Sequence, residues 1–102
     1  MSVVVVATIV PLPEHRDAVI AAFKDAIERV HDEDGCELYS LNEAPDRLIM
    51  IEKWASREAL ANHSRGVNLA ELNPKLAGKV SSAPDVIVLE QVPAGDPVKG
   101  AL

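Results

Sequence analysis

Glu52-Lys53-Trp54-Ala55-Ser56-Arg57-Glu58-Ala59-Leu60-Ala61-Asn62-His63 is the stretch that decides the fold. Just before it, Leu48-Ile49-Met50-Ile51 is a bulky apolar run, so a strand is expected from Arg47 through Trp54. Ser56 can accept a free amide proton of a helical first turn, and Glu58 sits where the positive end of a helix dipole favours an acid. Only Ala55 separates strand from helix. One short unit therefore brings a large flat side chain, Trp54, and a titratable imidazole, His63, into one neighbourhood.

Upstream of that unit, Cys36 to Asn42 reads as a second strand, with Cys36, Leu38 and Ser40 alternating against Glu37, Tyr39 and Leu41. The turn Glu43-Ala44-Pro45-Asp46 makes a hairpin of the two strands. Val3 to Val10 is almost unbroken and β-branched, which predicts a strand covered on both faces. Pro11 and Pro13 end it, and Pro13 suits the first position of a helix. From there Ile20, Phe23, Ile27 and Val30 form one apolar stripe, with Asp25 and Arg29 paired at i, i+4 on the wet side. His31-Asp32-Glu33-Asp34-Gly35 is read as a solvated acidic exit closed by glycine.

Downstream, Ser64-Arg65-Gly66 breaks the chain, and Leu69, Leu72 and Leu76 recur at helical spacing. Asn73-Pro74 resembles a cap and first residue, so two short helices meeting at Asn73 are expected. Asp85 to Val92 reads as the fourth strand. Residues 1–93 form the expected domain, and 94–102, with two glycines and a proline, a flexible tail.

Composition narrows the partners. The 102 residues carry a net charge of −6 and no Lys/Arg cluster, which argues against nucleic acid and anionic membrane. The valine run is too short to span a bilayer. Cys36 is the only cysteine, so neither an intrachain disulfide nor a cysteine metal cluster is available, and a cytoplasmic location is expected. Aromatics make up only 3% of the chain, so Phe23, Tyr39 and Trp54 stand out.

The element order is β-α-β-β-α-β, an α+β ferredoxin-like sandwich. Both helices cover one face of a four-stranded sheet. The other face keeps the Val, Ile and Leu residues of the first and fourth strands, and a second copy of the chain is the simplest cover. A homodimer is therefore expected.

At this level the sequence resembles the antibiotic biosynthesis monooxygenase domain family, whose members are small dimeric α/β barrels. The resemblance runs from Val3 to Val92. It rests on the valine strand and proline-bounded helix, on Glu33-Asp34-Gly35-Cys36-Glu37-Leu38-Tyr39, and on Glu52 to Leu60 followed by His63. It implies an enzyme akin to quinol and anthrone monooxygenases that work without metal or flavin. The implied partners are a small quinol or polycyclic aromatic substrate and O2. Haem-degrading members differ at the positions occupied here by Ala7, His63 and Asn73, which disfavours haem degradation. The alternative is a non-enzymatic domain that binds haem or another hydrophobic molecule or serves for dimerisation, and a third reading is a lactone isomerase or related acid/base enzyme on the same scaffold.

Such chemistry takes its electrons from the substrate, so the protein needs a base, hydrogen-bond donors and a dry enclosure. The resemblance then implies His63 as base, Tyr39 as the group orienting a substrate oxygen, and Trp54 as a flat wall. Asn62, Asn42 and Arg65 are candidates for holding an anion, and Phe23 for contacting the substrate. Each has a plainer reading: helix-end histidine, half-buried tyrosine, core tryptophan, surface polar residue. No metal site is expected, because His31, Asp32 and Asp34 lie too close together on one loop to converge on an ion.

Overall fold

The computed structural model describes residues 2–102. In chain order the elements are β1 (Val3–Ile9), a 3₁₀ turn (Pro13–His15), α1 (Arg16–His31), β2 (Cys36–Ala44), β3 (Arg47–Trp54), α2 (Arg57–Ser64), α3 (Val67–Leu76) and β4 (Asp85–Glu90). The strands form one antiparallel sheet in the order β2-β3-β1-β4, the ferredoxin-like arrangement expected. No helix among the described residues is long and apolar enough to cross a membrane.

Pairing between β1 and β3 fixes the core. Val3, Val5, Ala7 and Ile9 lie opposite Trp54, Glu52, Met50 and Leu48, and all eight are buried. Residues opposite one another in an antiparallel pair share a face, so these eight face the helices. Burying each of the larger apolar members contributes about 1.5–3 kcal/mol. The other face carries Val6, Ile49 and Ile51 together with Ile87 and Leu89 of β4, which are 50% and 42% exposed.

Several boundaries depart from the sequence reading. On α1 the buried residues are Val19, Phe23, Ala26 and Val30, while Ile20 and Ile27 only flank the core. The stripe is rotated by about one position, toward Val19 and Ala26. The expected pair of helices meeting at Asn73 is a single helix, α3, with Pro74 inside it. A proline inside a helix loses its amide donor and crowds the carbonyl four residues back; Pro74 sits in the last turn, exposed, while Leu72 and Leu76 on either side are buried.

β2 does not alternate as a simple strand. Cys36 pairs with Trp54 but Leu38 pairs with Lys53, so Glu37 is an extra residue, a β-bulge. The bulge shifts the frame, putting Tyr39 opposite Glu52 on the helix side and leaving Leu38 on the outer side, 38% exposed.

Gly35 joins the acidic loop to the strand-helix unit. Its φ is +80°, its carbonyl accepts a 2.8 Å bond from Ala55 N–H, and a Cβ here would stand 2.5 Å from the Ala59 Cβ. Only glycine permits both the backbone angle and that approach. Beyond β4 the chain forms a turn in which the Asp96 carboxylate accepts 2.9 Å bonds from Val98 and Lys99 N–H.

Candidate active site

α2 begins as expected: Ala59 N–H donates to Ser56 Oγ at 3.1 Å. Two turns later the helix delivers His63, only 4% exposed, onto the end of β3. The imidazole stacks on the Trp54 indole with ring centroids 4.4 Å apart and planes 30° apart. Tyr39 meets the same imidazole edge-on, its ring centroid 5.4 Å away.

The acidic loop completes the arrangement. His63 Nδ1 lies 2.9 and 3.1 Å from the two Glu33 carboxylate oxygens, and Asn68 Nδ2 donates to Glu33 Oε2 at 2.8 Å. With the Nδ1 proton directed at Glu33, Nε2 is left as the free position of the ring. Glu33 is therefore not part of a solvated turn; its side chain is only 20% exposed. His31 points elsewhere, its Nε2 at 3.0 Å from the Tyr39 carbonyl oxygen, while Asp32 and Asp34 are exposed.

Facing Nε2 is Glu52, 6% exposed, whose Oε1 accepts a 2.9 Å bond from Trp54 Nε1–H and lies 3.9 Å from His63 Nε2. Burial pushes the Glu52 carboxyl above the usual range, against the opposing pull of the indole N–H and the imidazole. Burial likewise raises the Tyr39 phenol, and Glu52 and Glu33 push it the same way. The Cys36 thiol is also held up by burial and by those two carboxylates, so it is a poor nucleophile.

These groups open onto a cavity of about 220 Å³ between the sheet and α3. Its inner wall is Ala7, Ile9, Phe23, Met50, Leu72 and Leu76, with Tyr39, Glu52 and His63 as the polar end; exposed Asn73, Pro84 and Val86 stand at its mouth. No lysine or arginine is among the described residues lining it. A site of this kind can hold an aromatic body and present a hydroxyl to a fixed imidazole.

Three of the residues picked from sequence, His63, Tyr39 and Phe23, thus meet at one cavity. Trp54 does not form a wall. It is fully buried behind His63, where it sets the imidazole plane and donates to Glu52. Asn62 and Arg65 lie outside the cavity, exposed and bonded to each other at 2.7 Å, because they fall on the solvent side of the α2 terminus. Asn42 is exposed on the edge strand and donates to the Ser40 carbonyl at 3.0 Å. Glu52, Glu33 and Asn68 escaped the sequence reading. For Glu52 a signal existed, since the i, i+2 spacing to Trp54 places both on one strand face; for Glu33 and Asn68 there was none.

The sequence profile of the antibiotic biosynthesis monooxygenase family matches residues 2–72, which span β1 through most of α3 and include the whole polar end of the cavity. The chain belongs to the antibiotic biosynthesis monooxygenase family. Rv0793 of Mycobacterium tuberculosis is 38% identical over 63 residues, covering 60% of this chain and 62% of that protein. The solved structure of Rv0793 superposes with a TM-score of 0.85 at 26% identity, covering 94% of this chain and all of the other. A crystal structure of an antibiotic biosynthesis monooxygenase gives 0.82 at 26% identity, over 89% of this chain and 99% of its own. A conserved protein of Methanosarcina mazei Go1 gives 0.82 at 25%, over 87% and 91%. Within the family profile, β4 lies outside the matched segment although it pairs with β1 along six positions.

Proposed function

We propose that this chain is a monooxygenase that oxidises a small hydroquinone-type aromatic with O2, drawing the electrons from the substrate itself. The observation that carries the reading is His63: fixed through Nδ1 by Glu33, backed by Trp54, and facing an apolar cavity through Nε2. His63 takes a phenolic proton, the phenolate reduces O2, and the radical pair recombines where water is scarce. Tyr39 and Phe23 contact the ring.

Cavity size narrows the substrate. A cavity of about 150 Å³ admits benzene, so about 220 Å³ suits one or two fused rings better than a larger polycycle or a porphyrin. With Glu52 and Glu33 near the polar end and no cation in the lining, the site favours a neutral substrate over a carboxylated one.

The working unit in this reading is a homodimer, in which a second copy covers the apolar outer face around Val6, Ile51, Ile87 and Leu89.

The test is oxygen uptake with 1,4-naphthohydroquinone, corrected for its spontaneous oxidation. The protein should accelerate uptake and form the hydroxyquinone, and His63→Ala should abolish the acceleration. Uptake equal to the protein-free rate, or unaffected by His63→Ala, overturns the reading.

A further inference from the structure

We propose that Glu52 is a catalytic acid that shares the reacting oxygen with His63, the two side chains forming a two-proton relay. This rests on the oxygenase reading above and adds to it the group that handles the second proton.

Glu52 sits on a central strand, 6% exposed, at the polar end of the cavity, with a single hydrogen bond among the described residues, from Trp54 to Oε1. Buried carboxylates are ordinarily paired with a cation. The titratable groups that face this one are His63 from α2, Tyr39 and Cys36 from β2, and Glu33 from the loop before β2. None is a lysine or arginine, so among these groups only a protonated His63 can neutralise Glu52.

The 3.9 Å between His63 Nε2 and Glu52 Oε1 is too long for a direct hydrogen bond. It is the right gap for one oxygen atom lying about 2.8 Å from both. Glu33 and Asn68 keep the imidazole turned so that Nε2 faces this gap. Burial of Glu52 favours its neutral form, which can give a proton as well as receive one.

The proton balance then closes. The hydroquinone O–H proton passes to His63, and the phenolate adds O2 at the neighbouring ring carbon, forming a C–O bond and a peroxide anion. Glu52 protonates the distal peroxide oxygen. Loss of the ring C–H proton to the Glu52 carboxylate breaks the O–O bond, leaving a new C=O and hydroxide. The hydroxide takes the proton from His63 and leaves as water. One hydroquinone and one O2 give one hydroxyquinone and one water, and both side chains return to their starting states.

Glu52→Gln keeps the size of the side chain and can still accept from Trp54, so it isolates the proton. With 1,4-naphthohydroquinone, this variant should form the bound phenolate without oxygen as the wild type does, seen by absorbance. Its oxygen uptake should fall by about 100-fold or more, with hydrogen peroxide released in place of hydroxyquinone, and Glu52→Asp should restore part of the rate. Uptake within about twofold of wild type and no peroxide overturns the relay. If the wild type consumes no oxygen, the oxygenase reading fails, and the relay is judged separately by NMR titration of the His63 ring. Two inflections in the wild type and one in Glu52→Gln support it; the same single inflection in both overturns it.

Discussion

The His63 imidazole lies almost flat on the Trp54 indole, centroids 4.4 Å apart, so the only tryptophan of the chain touches the candidate base directly. A protonated imidazole at contact distance quenches indole emission. Fluorescence should therefore fall on acidification, and His63→Gln should remove that change. A pH-independent emission in the wild type would show that the stacked pair does not persist in solution.

Glu52 gives a stability prediction with a definite sign. Its carboxyl is raised, first of all by burial, so the folded state binds this proton more tightly than the unfolded chain does. Glu52 then costs stability progressively as pH rises from the ordinary carboxylate range, near 4.3, through its raised folded value, and the cost is constant above that. Glu52→Gln should melt higher than the wild type at pH 8, by about 1–2 kcal/mol, with the gap shrinking toward pH 4. A gap that widens toward acid would refute the assignment.

Removing Glu33 strips His63 Nδ1 and Asn68 Nδ2 of their acceptor at once. Glu33→Ala should cost about 1–3 kcal/mol of stability. Where the wild type turns over a hydroquinone, kcat should drop by about 10-fold or more with KM little changed, because orientation rather than binding is lost. Nitrogen NMR of the ring should show a mixture of tautomers in the variant and one in the wild type.

At Gly35, alanine meets both a φ of +80° and the Ala59 Cβ at 2.5 Å. Gly35→Ala should destabilise by about 2–4 kcal/mol in denaturant titration, the sum of backbone strain and overpacking. Adding Ala59→Gly should recover only the overpacking part.

For the outer face the expected behaviour is self-association. Sedimentation of the wild type at micromolar concentration should give a dimer. Ile51→Lys, central on that face and remote from the cavity lining, should give a folded monomer. A wild type that sediments as one chain removes the dimer from the proposal.

Much of the fold was legible because its signals are local. Ser56 capping, the valine run and the β3 apolar block each act within a few residues, and β3 spans Arg47–Trp54 as read. What escaped depends on contacts far apart in sequence. Glu33 and His63 are thirty residues apart, and no spacing rule links a loop carboxylate to a helix-end imidazole. Pro74 was read by its usual role as a helix starter, whereas burial of Leu72 and Leu76 holds the helix through it. Trp54 was placed correctly in the chain but given the wrong surface, since a single residue type does not reveal whether it lines a hollow or supports the side chain that does.

The supernumerary Glu37 has a reach beyond its own position. Counting from the Cys36–Trp54 pair, the same chain paired without the bulge would set Leu38 opposite Glu52 on the inner face and Tyr39 opposite Ile51 on the outer. The chamber would exchange a phenol for an isobutyl group, and the exterior would gain a hydroxyl where grease now lies. The bulge, without touching any residue of the chamber, thus decides both what the protein can accommodate and how it meets its neighbours.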